Sequence, residues 1–172
     1  MNLPAGSDPP AIVNAIIEIP KGSSSKIEYD EELDVFRLDR VLASPVHYPG
    51  AYGFIPSTLG QDGDALDIVV LTDSTIGTGC LVEVRPIGVL EMADDKGLDH
   101  KILAVPCNDP HMTEITGLQH IAPHVLKEVD YFFQIYKDLE GKFSDTYGWE
   151  DRVEAFAIIK ACMARFTPEG GE

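Results

Sequence analysis

Three carboxylates fall within six residues, Asp62, Asp64 and Asp67, and the chain then runs straight into the apolar stretch Ile68-Val69-Val70-Leu71. A buried strand that begins in a knot of like charge limits what the fold can do at that end. Two unit charges about 4 Å apart repel by ~1 kcal/mol even at the dielectric of water, and by more where water is excluded. A converging trio therefore calls for a cation, and hard oxygen ligands favour Mg2+ or Ca2+. An EF-hand is excluded, because its fifth position would be Leu66 and a strand-like run follows where the loop should continue. The plain alternative is a solvated acidic turn ahead of a strand.

The rest of the chain weighs on that choice. With 172 residues and 44% hydrophobic composition there is room for one domain with its own core, spanning 1–172. Acidic residues outnumber basic ones 29 to 13, for a formal charge of -16, which opposes a grip on nucleic acid or anionic membrane. An anionic ligand would need metal ions and a few well-placed Lys or Arg to overcome that field. Cys80, Cys107 and Cys162 have no metal-ligand spacing, and the first ten residues carry no apolar signal core, so a reduced, cytoplasmic protein is expected.

Ile12 to Ile19 is β-branched and ends at Pro20, which predicts a strand carrying Glu18 near its end. Lys26 to Asp30 and Val35 to Arg40 alternate in polarity like a hairpin, with Lys26 and Glu28 on one face. Pro45 to Pro56 mixes aromatic with chain-bending residues and predicts a shaped loop, whose Tyr48 and Tyr52 could plug a core or donate to a phosphate. A strand is expected from Ile68. Another should run from Leu81 to Leu90, with an edge or bulge at Pro86 and Gly88. A second acidic connection, with Asp94, Asp95, Asp99 and Lys101, leads into a further strand. From Pro123 the period becomes helical through Val125, Val129, Phe132, Phe133 and Tyr136, with Gly141 as the stop. After Trp149, Val153, Phe156, Ile159, Met163 and Phe166 mark a second helix, and the tail from Thr167 should fray.

Taken together, Asp62, Asp64, Asp67, Asp94 and Asp99 are candidate metal ligands or bases. Lys26, Arg40, Lys101 and Lys137 are candidate charge partners, and the tyrosines are neutral donors. That set suits phosphoryl transfer, in which divalent ions activate water and basic side chains neutralise phosphate charge. No Ser or Cys has an evident base partner, and no Gly-rich phosphate loop precedes a helix, so covalent nucleophilic catalysis is not supported.

The stretch Asp62-Gly63-Asp64-Ala65-Leu66-Asp67 closely resembles the three-aspartate signature of the soluble inorganic pyrophosphatases of family I, in their short bacterial and plant-type form. The likeness extends through Ile17 to Pro20, Lys26 to Glu28, Asp39-Arg40, Tyr48-Pro49, Tyr52-Gly53, Asp94 to Lys101 and Tyr136 to Glu140. The resemblance implies a mainly β (α+β) fold, a small closed OB-type barrel with two C-terminal helices. It implies Mg2+-dependent hydrolysis of pyrophosphate to two orthophosphates, with several ions per site. It implies Asp62, Asp67, Asp94 and Asp99 as metal ligands and Asp64 as the base. It further implies Lys26, Arg40, Tyr52, Tyr136 and Lys137 as phosphate-binding groups, Glu18, Glu28, Tyr48 and Lys101 as a supporting polar shell, and a homo-oligomer, commonly a hexamer. Asp95 stands where a longer Glu is frequent, and no role attaches to His47 or the cysteines. The competing reading is a non-catalytic, metal-stabilised OB-type module that binds a phosphorylated ligand.

Overall fold

The computed structural model describes residues 3–167. The expected fraying therefore falls almost wholly on residues outside that range. Five strands form the frame: β1 (Val13–Ile19), β4 (Ala51–Ile55), β5 (Leu66–Val70), β6 (Leu81–Asp94) and β8 (Lys101–Pro106). β1 pairs with β4 on one side and β6 on the other, while β4–β5, β5–β8 and β8–β6 complete the path, so the pairings close into a ring. Among the pairings of the described residues, only β5–β8 is parallel. The short β7 (Gly97–Leu98) and β9 (Ser144–Asp151) add to β6, and β2 (Ser25–Asp30) with β3 (Val35–Val41) forms a separate two-stranded sheet. The helices are α1 (Pro123–Ile135) and α2 (Arg152–Arg165). The mainly β fold with two C-terminal helices is as expected.

Strand alternation sorts side chains into two cores. Ile68, Val70, Ile102 and Ala104 pack with Ala155, Ile159 and Cys162 of α2. Val69, Leu71, Leu103 and Val105 pack with Val129, Phe132, Phe133 and Tyr136 of α1. Asp67 and Lys101 share the parity of Val69 and Leu103, so both belong to the α1 side, where the aromatics lie.

Several boundaries differ from expectation. The stretch 45–56 is not all loop: Ala51–Ile55 is a strand paired on both edges. Gly53 permits this, since a Cβ there would stand 1.8 Å from the Ile16 carbonyl oxygen. Its neighbours' turn-like composition conceals a close backbone approach rather than a bend. β5 begins at Leu66, placing Asp67 inside the strand. β6 continues to Asp94, and its Pro86–Gly88 irregularity is a bulge in a central strand, not an edge. β9 carries no apolar run and is held by pairing with β6. Gly141, at φ 66°, closes a 3-10 turn over Asp138–Glu140 rather than α1 itself. On α2 the buried residues are Ala155, Ile159 and Cys162, whereas Val153 is exposed, so the covered face is rotated from the expected stripe. Of the three cysteines, Cys162 is buried and Cys80 is exposed.

Candidate active site

The acidic residues arrive from three places in the frame. Asp62 and Asp64 lie on the loop between β4 and β5, and Asp67 is the second residue of β5. Asp94 ends β6, and Asp99 sits just before β8. The parallel register sets Asp67 opposite Lys101, and the Lys101 ammonium donates to both Asp67 and Asp99. Lys101 is buried, with the rings of Tyr52 and Phe133 each 5.7 Å from its nitrogen. Burial disfavours its charge, but Asp67 and Asp99 outweigh that cost and raise its pKa. A lone ammonium in this place would be untenable. Paired, it is a fixed positive charge at the centre of the carboxylates.

Around that node the other groups are held by specific contacts. Lys137 donates to Asp94 at 2.8 Å. Burial pushes the Asp94 carboxyl up, yet the bonds from Lys137 and the Lys96 amide prevail and its pKa falls. Asp62 accepts from the Asp64 amide at 3.2 Å, and burial, followed by the charges of Asp64 and Asp99, raises its pKa against that bond. Asp99 is also raised, first by burial. Asp64 is exposed and takes a 2.8 Å ion pair from Lys96 of the β6–β7 turn. A hollow of about 80 Å³ opens beside Asp62, Asp67 and Asp99, with His100 and α2 behind it.

The phenols line the α1 side. Tyr48 and Tyr52 rings lie 5.2 Å apart, Tyr48 packs on Phe132 at 4.7 Å, and Tyr136 stacks on Phe132 at 5.3 Å. Burial raises the pKa of all three tyrosines, so they remain neutral donors.

The hairpin supplies a second group. A bulge opposite Lys26–Ile27 sets Lys26 across from Arg40. Lys26 contacts Glu28 and lies 3.8 Å from Asp39. Arg40 takes both oxygens of Glu140 at 2.6 and 3.0 Å and Asp39 at 2.6 Å. These bonds, led by that from Glu140, raise the guanidinium's pKa. Glu18 is the extra residue of a β1 bulge between Ile17 and Ile19, and it accepts from the Tyr29 amide at 2.8 Å. Burial lifts its pKa from 4.5 to about 8, with Asp67 and Glu28 adding to the rise. Glu18 thus stands electrostatically between the hairpin group and the acidic loop, although no side-chain hydrogen bond joins the two.

The expected aspartates with Lys101 and Lys137 form one group and Lys26, Glu28 and Arg40 the other, while Tyr48, Tyr52 and Tyr136 lie on the α1 side and Glu18 lies between the groups. The sequence reading missed Lys96 and Glu140 as ion-pair partners. Glu140 had a signal, as the last residue of the Tyr136-Lys137-Asp138-Leu139-Glu140 stretch. Lys96 lies within the Asp94 to Lys101 stretch, but its pairing with Asp64 is made only in three dimensions.

Among the described residues no three His, Cys, Asp or Glu side chains converge into a ready cage. Mg2+ does not require one: it commonly takes one or two carboxylates and fills its octahedron with waters and substrate phosphate oxygens. Three Asp carboxylates, Asp62, Asp67 and Asp99, line the open hollow, with Asp62 and Asp99 raised in pKa; they have the chemistry for that mode, and the residues fit.

The comparisons with known proteins point the same way. Residues 15–167 match the family model described as inorganic pyrophosphatase. The inorganic pyrophosphatase of Halalkalibacterium halodurans is 43% identical over 157 residues, 91% of this chain and 96% of that protein. That of Thermus thermophilus is 44% identical over 168 residues, 96% of each. The crystal structure of the Thermus thermophilus pyrophosphatase superposes with a TM-score of 0.93, covering 96% of this chain and 97% of the other. The inorganic pyrophosphatase of Helicobacter pylori gives 0.92 at 35% identity, covering 96% of this chain and 99% of the other.

Proposed function

Since the chain belongs to the inorganic pyrophosphatase family and is a hydrolase that cleaves pyrophosphate, we propose how its residues divide that work. Asp62, Asp67, Asp94 and Asp99 hold several Mg2+ ions. When bound, Mg2+ neutralises phosphate charge and makes water more acidic. Asp64, exposed and flanked by two ligands, is the base that accepts the proton of the attacking water. Lys26, Arg40 and Lys137 neutralise the phosphoryl oxygens, while Tyr52 and Tyr136, kept as neutral phenols by burial, donate hydrogen bonds to them. Lys101 fixes the directions of Asp67 and Asp99, Tyr48 braces Tyr52, and Glu18 and Glu28 position the hairpin lysine.

The observation that carries this reading is the meeting of Asp67 and Asp99 on one buried lysine, with the Tyr52 ring 5.7 Å from its nitrogen. No other cluster of the described residues joins paired carboxylates to so many phosphate-binding groups. Family membership decides against the non-catalytic module. Residues 1–172 act as one domain with an OB-type barrel. The chain works in the cytoplasm as a hexamer, and exposed apolar side chains such as Leu33, Tyr131 and Leu139 are available for subunit contacts. Among the described residues no helix is long and apolar enough to cross a membrane.

The test is phosphate release from pyrophosphate, ATP and a phosphomonoester, each with and without Mg2+. Release confined to pyrophosphate and abolished by chelation is expected. Equal rates on the three substrates, or turnover that survives chelation, would reject the assignment.

A further inference from the structure

Arg40 belongs to the β2–β3 hairpin, which has no strand pairing with the main ring. The hairpin meets the ring through Glu18, which accepts from the Tyr29 amide, and through the Tyr29–Phe54 ring pair, but neither contact touches the Arg40 side chain, whose direction needs a reference of its own. The structure supplies one 100 residues away. The guanidinium nitrogens Nε and Nη2 donate to the two carboxylate oxygens of Glu140, at 2.6 and 3.0 Å, and Nη1 donates to Asp39. Glu140 rides on the 3-10 turn that follows Lys137, and Lys137 is itself tied to Asp94. Its side chain is the more sheltered of the pair, 12% exposed against 26% for Arg40, so the contact is not a loose surface bridge.

A guanidinium has five N–H donors in a rigid fork. Three are engaged by Glu140 and Asp39, which leaves one on each terminal nitrogen, a pair that suits two oxygens of one phosphate. We propose that Glu140 is a positioning residue: its two-point grip on Arg40 aims the hairpin guanidinium at the phosphoryl group also met by Lys137, and so sets how tightly pyrophosphate is held. This rests on the reading of Arg40 as a phosphate-binding group. Glu140 does not touch substrate, and without its two-point grip Arg40 keeps its charge but loses its direction.

The experiment compares Arg40→Lys, Glu140→Gln, Glu140→Asp and the Arg40→Lys/Glu140→Gln double variant in the Mg2+-loaded full chain. It measures steady-state kinetics on pyrophosphate, calorimetric binding of the non-hydrolysable analogue imidodiphosphate, and thermal melting. Glu140→Gln should raise KM about tenfold with kcat changed less than about threefold, because misaiming a binding group costs ground-state and transition-state contacts alike. Imidodiphosphate binding should weaken to match, and Glu140→Asp should recover part of the loss. The double variant should be no worse than Arg40→Lys alone, since Glu140 acts only through the arginine. If Arg40→Lys is impaired while Glu140→Gln binds and turns over normally, or if the two losses add, the role of Glu140 is refuted and that of Arg40 stands. If Arg40→Lys itself leaves KM and imidodiphosphate binding unchanged, the reading of Arg40 falls and this inference with it. Lowered melting of the Glu140 variants with normal KM in the folded fraction would reduce the pair to a structural staple and overturn the proposal.

Discussion

Single side chains decide the chemistry, and Asp64 is the one whose removal is most telling. Asp64→Asn keeps the size of the residue but removes the proton acceptor, so turnover should fall by about 10²–10⁴-fold. Calorimetric Mg2+ binding should change less than in Asp67→Asn. Equal loss of Mg2+ in both variants, or near-normal turnover, would contradict the division of labour between these neighbours. Glu18 offers a test by pH. Burial sets its folded-state pKa at about 8 against 4.5 ordinarily, so between these values the folded chain keeps a proton that the unfolded chain has released. The folded state then binds more protons, and stability falls as pH rises. The Glu18 contribution is fully present below 4.5 and is lost as pH passes about 8. Urea unfolding of the metal-free enzyme between about pH 5 and pH 9 should show this decline, and Glu18→Gln should flatten it. A Glu18→Gln variant with the same pH slope as the parent would show that other groups carry the dependence.

At the scale of elements, Gly53 marks a close backbone approach between β4 and β1. Gly53→Ala would drive a methyl group to within 1.8 Å of the Ile16 carbonyl oxygen, a backbone atom that cannot step aside. A loss of at least ~2 kcal/mol is expected, which for a chain of this size lowers Tm by about 4–8 °C. Gly77→Ala, where an added Cβ meets nothing within 4 Å, should shift stability by less than about 0.5 kcal/mol and serves as the control. Calorimetric melting of the two variants checks the contrast, and similar melting temperatures would mean that the strands separate to admit the methyl. The same glycine explains why this element was hidden. Tyr52-Gly53 between two prolines reads as a turn in one dimension, whereas its strand character comes from pairing with β1 and β5 on either edge. β9 was hidden for a related reason, since its polar residues gain their order from pairing with β6 and from bonds to α1, such as those of Ser144 to the Phe133 carbonyl and Trp149 to the Leu126 carbonyl.

The proposed site belongs to the whole molecule, because β1, the hairpin, β4, the acidic loop, the end of β6, the start of β8 and the end of α1 each carry part of it. Replacing Mg2+ by Ca2+ tests whether they act as one unit. Ca2+ prefers bonds of about 2.3–2.6 Å and a looser shell than the ~2.0–2.1 Å octahedron of Mg2+. Phosphate release at saturating Ca2+ should therefore be largely lost even where Ca2+ binds, and comparable rates with both ions would contradict a geometry matched to Mg2+. By itself the sequence determined the local chemistry: which residue types cluster, and where period two gives way to helical spacing. Those properties depend on residues within a few positions of each other, so they survive in one dimension. The seating of Lys101 between Asp67 and Asp99 depends on the parallel register of β5 and β8. The reach of Lys96 to Asp64 depends on a turn 32 residues away, and the grip of Glu140 on Arg40 spans 100. Only the tertiary structure decided these, because the energy of a charge pair depends on distance and burial in space, and neither is written in the spacing of residues along a chain.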